Sequence, residues 1–139
     1  MLAEARQVGE THVLIENEGD IVTARQEGRR LAAGSGFSTT EQTLIATAIS
    51  EVARNIVEYA RRGEIILSAI AQLDRRGVSV IARDDGPGIH DVELAMRDGY
   101  STGRSLGMGL PGAKRLMDEF DLISAPGKGT LIRMAKWMR

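Results

Sequence analysis

The sequence predicts a two-layer α/β (α+β) sandwich, in which a mainly antiparallel sheet carries helices on one face. Two pairs of segments rich in β-branched residues are each joined by a short turn, a pattern typical of antiparallel hairpins. Helical patterns precede the first pair and separate it from the second. We expect a single domain over residues 1–139, a length sufficient for one hydrophobic core.

One short strand and a capped helix are predicted near the N-terminus. The segment HVLIE, His12–Glu16, is typical of a short strand. Asp20 is expected to cap a helix through IVTARQEGRRLA, which the segment Gly34–Phe37 ends. The apolar side of this helix is predicted to consist of Ile21, Val22, Ala24, Leu31 and Ala32.

The longest helix is predicted to follow directly. Ser38 and Glu41 have the spacing of a capping box, in which each side chain accepts a hydrogen bond from the other residue's backbone N–H. They open a helical stretch from Thr39 to about Arg61. The apolar arc of this helix is formed by Leu44, Ala48, Ile49, Val52 and Ile56.

The remainder of the chain is predicted to form two hairpins with two helices and a loop between them. EIILSAIAQL and GVSVIAR make the first hairpin around a turn at Asp74–Gly77. DVELAMRDG predicts a short helix, and Tyr100–Leu110, which lacks apolar periodicity, predicts a mobile loop. Another helix is expected to begin at Pro111 and run through GAKRLMDEF. DLISA, the turn PGKG and TLIRMAKW make the second hairpin.

The composition excludes several classes of function. A net charge of −1 supplies no overall field that would draw the chain to nucleic acid or to an anionic membrane. The absence of cysteine excludes disulfides, thiolate chemistry and cysteine-based metal sites. No apolar run near the N-terminus is long enough for a signal peptide or a membrane span, so we expect a cytoplasmic protein.

Glu51 and Asn55 form the first candidate motif. They are four residues apart on the long helix, so their side chains lie along one edge of its apolar arc. A solvated helix face with an incidental pair of polar residues is one interpretation. The other is a half-sheltered carboxylate that orients a nucleophile, beside an amide oxygen that helps to hold Mg²⁺.

The acidic turn RDDGPGIHD, Arg83–Asp91, is the second candidate. It lacks the alternating oxygen ligands and terminal glutamate of a calcium-binding EF-hand loop. A plain tight turn explains its glycines and its proline, but not an aspartate at the end of an apolar strand, where burial is costly. Asp84 could gain a strong donor from the amino group of adenine, and the glycines would let the base approach the backbone.

The glycine-rich segment GRSLGMGLPG, Gly103–Gly112, is the third candidate. Its tail matches the dinucleotide-binding fingerprint formally, but no strand precedes it, and a P-loop motif is absent from the chain. A flexible loop that runs into a helix N-terminus can bind phosphate through free backbone N–H groups. A glycine-rich surface loop without a ligand is the alternative interpretation.

The order of these motifs resembles one ATPase superfamily. EVARN on a helix, DDGPG after a strand, GLPG behind a glycine loop and a late GKGT resemble the boxes of the GHKL, or Bergerat-fold, ATPases. More closely, TAISEVARNI, DGYSTGRSLGMGLPGAKRLMDEF and the terminal KW resemble the RsbT-type switch kinases, which are short bacterial serine/threonine kinases related to anti-sigma factors. The resemblance covers about Asp20 to Trp137 and implies the Bergerat fold with a flexible ATP lid.

The resemblance implies a role for each motif residue. Glu51 matches the catalytic base of the family, and Asn55 matches the asparagine that ligates Mg²⁺ beside the nucleotide. Asp84 matches the acceptor for the adenine amino group, with Gly86 and Gly88 shaping the pocket.

The remaining matches surround the triphosphate and the base. Gly107 and Gly109 match the second glycine box, which is part of the lid over the triphosphate. Thr130 matches the threonine that helps to hold adenine, commonly through water. Arg104 would clamp the γ-phosphate, although the place of such an arginine in the lid varies among relatives.

These matches imply an ATP- and Mg²⁺-dependent protein serine/threonine kinase. Such kinases phosphorylate a STAS-domain scaffold protein of a stressosome; once released from it, they activate a downstream regulator such as a PP2C-type phosphatase. An alternative is a nucleotide-dependent binding module of the anti-sigma-factor type, which acts on a partner without phosphoryl transfer. A histidine-kinase catalytic domain is disfavoured because neither His12 nor His90 lies in a dimerising helical hairpin.

Overall fold

The computed structural model describes residues 6–89, 92–97 and 109–139. Within this part of the chain, all neighbouring strands pair antiparallel in one sheet of order β1-β2-β3-β5-β4. The strands are β1 (Arg6–Ile15), β2 (Gly63–Gln72), β3 (Arg75–Asp84), β4 (Glu119–Ser124) and β5 (Thr130–Trp137). The helices are α1 (Glu18–Ser35), α2 (Thr39–Asn55), α3 (Val92–Ala95) and α4 (Gly109–Leu116), and a five-residue π-helical turn, Ile56–Ala60, continues α2. The predicted fold class is confirmed.

The hydrophobic core lies between the helices and one face of the sheet. α1 packs against α2, and α2 packs against α4. The opposite face carries a second, smaller buried cluster of Ile70, Ala135 and Trp137. It also carries polar side chains, among which Glu64 accepts hydrogen bonds from Arg83 and bonds the ring of His12. The largest fully buried core side chains include Ile15, Ile21, Ile45, Ile49, Ile65, Leu67, Val80 and Ile132.

The first helix begins three residues earlier than the sequence indicates. Asn17, rather than Asp20, is the N-cap: its side chain accepts from the backbone N–H of Asp20, whose carboxylate accepts in return from the N–H of Asn17. This reciprocal pair is a complete capping box. Val22, predicted on the apolar side, is exposed, and the buried stripe instead includes Gly28, where an added Cβ would lie 2.1 Å from Ile49 Cδ1.

The long helix, α2, starts at the predicted cap, Ser38, but its last turn differs from the α-helix that was predicted. Ser38 Oγ accepts from the N–H of Glu41 at 3.1 Å, whereas the Glu41 carboxylate accepts from the Ser38 hydroxyl, so only half of the capping box forms. The α-helical pattern stops at Asn55. One π-helical turn then completes the stretch, closed by a hydrogen bond from Arg61 N–H to Ile56 O at 2.8 Å.

The turn of the first hairpin was predicted in the wrong place. Gln72 pairs directly with Arg75, so the connection is Leu73–Asp74 and the strand already includes Gly77. Leu73 has a φ of +54° at this two-residue turn. Gly77 serves close packing instead, since a Cβ there would lie 2.5 Å from the carbonyl oxygen of Lys136 on β5.

The first strand and the last long helix also differ from their predicted bounds. The strand predicted at His12–Glu16 begins at Arg6, because its pairing with β2 extends to Arg6 opposite Ala71. α4 begins at Gly109, with Pro111 in its first turn, where its missing N–H costs no helical hydrogen bond. It ends at Leu116 rather than Phe120.

Sheet pairing explains this early end of α4. Asp118 N–H donates to Ala135 O, and Phe120 pairs with Met134, so the backbone after α4 has already joined β5. The predicted short helix is present as Val92–Ala95. Residues 100–108 of the predicted mobile loop lie outside the described residues, and its last two residues belong to α4. None of the described helices has the length and apolarity needed to span a membrane.

We predict that Ser38→Ala lowers the free energy of unfolding by about 1 kcal/mol, because one N–H at the start of α2 loses its acceptor. Urea denaturation monitored by circular dichroism would measure the change. Thr40→Ala, at an exposed position in the same turn, is the matched control and is expected to change stability by less than half as much. Equal losses in the two variants would contradict the capping role.

Candidate functional site

The end of α2 and the acidic turn meet at the end of the sheet. Asp84, the last residue of β3, pairs with Gly63 on one side and with Thr130 on the other. A Cβ added to Gly63 would lie 2.8 Å from Ile56 Cγ2 and 3.1 Å from Asp84 Cβ. Because Ile56 follows Asn55 directly, the structure brings the helix motif and the acidic turn together.

The π-helical turn provides a second contact between the two motifs. An added Cβ on Gly86 would lie 2.6 Å from Ala60 Cβ, so the turn packs directly against the end of the helical stretch. A π-helix has one residue more between hydrogen-bonded groups than an α-helix. Here the π-helical turn places Ala60 against the acidic turn and leaves Tyr59 44% exposed. The sequence analysis missed Ala60, since nothing in the local pattern distinguishes a π-turn from an α-turn.

Glu51 is buried in α2, with 5% of its surface exposed, rather than half-sheltered as predicted. Asn55 is partly buried one turn later, as the last residue of α2. The spacing of four residues places both side chains along the same edge of the helix. A buried carboxylate next to a polar amide at a helix end can accept a proton from a bound hydroxyl or help to hold a cation.

Asp84 is a half-buried carboxyl group held by backbone donors. Its Oδ1 accepts from Gly86 N–H at 2.9 Å, and the backbone of Thr130 also hydrogen-bonds it. Burial raises the pKa of Asp84, the nearby charge of Asp85 adds to this effect, and the two backbone hydrogen bonds oppose it. The carboxyl group is therefore oriented at an energetic cost, as expected of a group that recognises a ligand.

Glycines let the acidic turn lie against the loop between β4 and β5. Gly88 has a φ of +78°, and an added Cβ there would lie 2.0 Å from Ala125 O. Gly129 has a φ of +75°, and its added Cβ would lie 2.2 Å from Asp84 O. Any side chain at either position would push the two loops apart. The two glycines therefore form a cradle in which the loops pack closely beside Asp84.

Ser124 connects the two loops and was missed by the sequence analysis. Its Oγ accepts from Ile89 N–H at 2.7 Å and donates to Gly129 O at 2.9 Å. It also lies 2.8 Å from the hydroxyl of Thr130, the residue that it pairs with across the β4–β5 hairpin. The predicted hairpin around PGKG brings Ser124 and Thr130 to the same end of two neighbouring strands, which is the signal that could have identified Ser124.

The glycine-rich segment is only partly described. Gly109 is the partly buried first residue of α4, with a φ of +68°, and α4 packs against α2. The start of α4 therefore lies on the helical layer that carries Glu51. Arg104 and Gly107 lie outside the described residues, so their predicted roles at the triphosphate stay predictions.

A cavity of about 580 Å³ opens beside this junction on the polar face of the sheet. Its lining joins Ala60 and Gly86 to side chains of the open face, including Leu14, Glu64 and Arg83. Glu51, Asn55 and Thr130 do not line it. Asp84 also lines it, so the cavity reaches the acidic turn of the candidate site from the open face of the sheet, away from Glu51 and Asn55.

The described residues contain no cluster of three or more His, Cys, Asp or Glu side chains that could hold a metal ion. Mg²⁺ retains several waters and binds one or two protein ligands together with phosphates. The oxygen of Asn55, beside Glu51, fits this kind of weak protein coordination. The half-buried carboxyl group of Asp84, beside the glycine cradle, fits a ligand with a hydrogen-bond donor.

Comparison with known proteins agrees with this geometry. The family model of the histidine kinase-like ATPase domain matches residues 16–136. The chain belongs to this family. It is 53% identical to the serine/threonine-protein kinase RsbT of Bacillus subtilis over 91% of the chain and 96% of that relative. It is 37% identical to the anti-sigma F factor of Caldanaerobacter subterraneus over 68% of each chain.

A solved structure supports the fold. The RsbU and RsbW domains of a Mycobacterium tuberculosis protein match with a TM-score of 0.60 at 22% identity, over 95% of this chain. The chain spans about a third of that solved chain (34%), so this likeness concerns the fold alone. The resemblance to RsbT-type kinases of the GHKL superfamily is thus confirmed. The enzyme class predicted from the sequence is that of the Bacillus subtilis relative.

We predict that Asp84→Asn gains stability relative to the wild type as pH rises. The raised pKa means that the folded wild type is favoured by protonation of Asp84, so the contribution of Asp84 to stability is lost as pH rises through the folded-state pKa. Asparagine stays neutral throughout. The difference in the free energy of unfolding, variant minus wild type, should therefore be larger at about pH 7 than at about pH 4.

Urea denaturation at the two pH values measures this difference. Asp121→Asn removes a carboxylate from an exposed position on β4 and serves as the matched control. If the difference for Asp84→Asn became smaller with rising pH, the backbone hydrogen bonds would lower the pKa of Asp84 more than burial raises it. That outcome would contradict the prediction.

Proposed function

We propose that this protein is an ATP- and Mg²⁺-dependent serine/threonine kinase of a bacterial partner-switching pathway. The observation that carries the proposal is the junction of the Glu51–Asn55 helix end with the half-buried Asp84 on a glycine cradle. The fold belongs to the histidine kinase-like ATPases, and an RsbT kinase is similar over nearly the whole chain. The junction offers a candidate residue for the base, for the Mg²⁺ ligand and for the adenine acceptor.

Adenine recognition is assigned to the acidic turn and the start of β5. As a carboxylate, Asp84 has only acceptor atoms and fits the exocyclic amine of adenine. Thr130, its direct neighbour across β3 and β5, is buried and presents a hydroxyl beside it. Gly86 and Gly88 are assigned to shaping the pocket, since a Cβ at either position would collide with Ala60 or Ala125 and shift the turn that carries Asp84.

Phosphoryl transfer is assigned to the helical side of the site. Glu51 accepts the proton of the serine or threonine hydroxyl whose oxygen attacks the γ-phosphorus, and the bond to the leaving oxygen of ADP breaks. Asn55 supplies one oxygen ligand for Mg²⁺. When bound, Mg²⁺ supplies positive charge that offsets the negative charge of the phosphates. Arg104, Gly107 and Gly109 are assigned to the lid over the triphosphate.

The protein partners are proposed from the family resemblance. The substrate is a serine or threonine on a STAS-domain scaffold protein, and the released kinase activates a downstream regulator such as a PP2C-type phosphatase. We place this exchange in the cytoplasm. The names of the RsbT and anti-sigma F relatives support a partner-switching role at a coarser level.

A nucleotide-dependent binding module is the second candidate function. The anti-sigma F relatives favour it, since they match about two thirds of the chain (68%). Buried Glu51 favours the kinase, because adenine and Mg²⁺ recognition do not require a base. Incubation with labelled ATP, Mg²⁺ and a STAS-domain protein separates the two: acid-stable phosphoserine or phosphothreonine supports the kinase, and bound ATP without phosphoprotein supports the module.

We predict that Glu51→Gln lowers the rate of phosphoryl transfer about 10²–10⁴-fold, because general-base catalysis is lost. ATP affinity, measured by calorimetry, should change little. Glu58→Gln, at an exposed position on the π-helical turn, is the matched control and should keep the wild-type rate. Normal transfer by Glu51→Gln would remove this residue from the base role.

We also predict that Asp84→Asn weakens ATP binding more than GTP binding. Guanine presents a carbonyl oxygen where adenine has an amine, so the asparagine amide can donate to guanine where the carboxylate cannot. Calorimetric titration of both nucleotides measures the two losses, and the neighbouring exposed Asp85→Asn is the control. Equal losses for ATP and GTP would show that Asp84 does not contact the base.

A further inference from the structure

The hydroxyl of Ser124 makes three contacts that use its whole hydrogen-bonding capacity. Ile89 N–H is a fixed donor to Ser124 Oγ at 2.7 Å, and the carbonyl oxygen of Gly129 is a fixed acceptor at 2.9 Å. The third contact, with Thr130 Oγ1 at 2.8 Å, joins two hydroxyls, either of which could donate. A serine hydroxyl has one proton and two lone pairs.

Only one arrangement of protons makes all three contacts hydrogen bonds. The single proton of Ser124 must go to Gly129 O, because a carbonyl oxygen cannot donate. One lone pair accepts from Ile89 N–H, and the other accepts the proton of Thr130 Oγ1–H. In the opposite arrangement, with Ser124 donating to Thr130, two bare oxygens would face each other at 2.9 Å.

The direction of the hydrogen bond between Thr130 and Ser124 decides whether the Thr130 hydroxyl can donate to a ligand or only accept from it. Its only hydroxyl proton is committed to Ser124, so Thr130 Oγ1 has only lone pairs left for a ligand. Thr130 lies directly opposite Asp84 in the sheet, and paired residues carry their side chains on the same face. Two acceptor side chains therefore lie next to each other on one face of the sheet, and with Asp84 ionised neither of them can donate.

We infer that Ser124 is a positioning residue that sets the base specificity of this site: it holds Thr130 as an acceptor and thereby selects a purine with an amine at position 6. The inference rests on the proposed function, since it requires a purine nucleotide at Asp84. Ser124 acts through Thr130 and touches neither the base nor the phosphates. A purine carbonyl at position 6 would face two acceptors and lose a hydrogen bond.

Inosine triphosphate provides the test, because hypoxanthine replaces the amine of adenine by a carbonyl at the same position. Calorimetry would measure Kd for ATP and for inosine triphosphate with the wild type, Ser124→Ala and Ser124→Thr. In Ser124→Ala the Thr130 hydroxyl can rotate and donate to the carbonyl. We expect the Kd for inosine triphosphate divided by the Kd for ATP to fall about tenfold in Ser124→Ala, the effect of one hydrogen bond gained or lost. Ser124→Thr keeps the hydroxyl and should keep the wild-type ratio.

Matched variants separate this effect from a general loosening of the loops. Ser35→Ala removes a part-buried hydroxyl that donates to Leu31 O on α1, away from the site, and should leave the ratio unchanged. If Ser124→Ala only loosened the loops, it would weaken the binding of both nucleotides equally and leave the ratio constant. That result would overturn the inference. In a Thr130→Val background, Ser124→Ala should no longer change the ratio, and a persisting change would also overturn it.

The same titrations distinguish this inference from the proposed function. A wild type that binds ATP and discriminates against inosine triphosphate, with an unchanged ratio in Ser124→Ala, overturns only the role of Ser124. A wild type that binds neither nucleotide in the presence of Mg²⁺ overturns the proposed function and the inference together.

Discussion

The pairing of β3 with β5 is the constraint on which the site depends. It places Asp84 directly opposite Thr130, although the two strands are separated in the chain by α3, α4 and β4. Gly129 has to be a glycine for this pairing to reach its last residues, because a Cβ there would meet the backbone of Asp84. On the other side of β5, the pairing with β4 sets Ser124 against Thr130. Two strand pairings that share β5 thus fix the positions of three polar side chains.

The carboxyl group of Asp84 works against the stability of the fold. Burial raises its pKa, and the backbone hydrogen bonds from Gly86 and Thr130 oppose that rise. A stability-optimised sheet end would carry a neutral residue at this position. A costly group kept in place by glycines with left-handed backbone is typical of a site where function outweighs stability. The π-helical turn beside it is a second irregularity of the kind found at functional sites.

The elements with strong local signals were predicted correctly in kind. The Ser38 cap, the first hairpin strands and the second hairpin follow from residue types within a few positions of one another. The predicted ends of some elements were wrong where pairing with residues distant in the chain determines them. β1 is longer than predicted because it pairs with β2 as far as Arg6. α4 is shorter than predicted because the chain that follows Leu116 pairs with β5.

For the site, the sequence by itself determined which chemical groups are available: a carboxylate and an amide four residues apart, an acidic turn, and glycines that permit unusual backbone. These properties belong to residue types and to their local spacing. Only the tertiary structure decided that Ala60 packs on Gly86, that Glu51 is buried, and that Ser124 bonds Thr130. Such contacts join residues far apart in the chain, and they form only when sheet register and helix packing bring the backbones together.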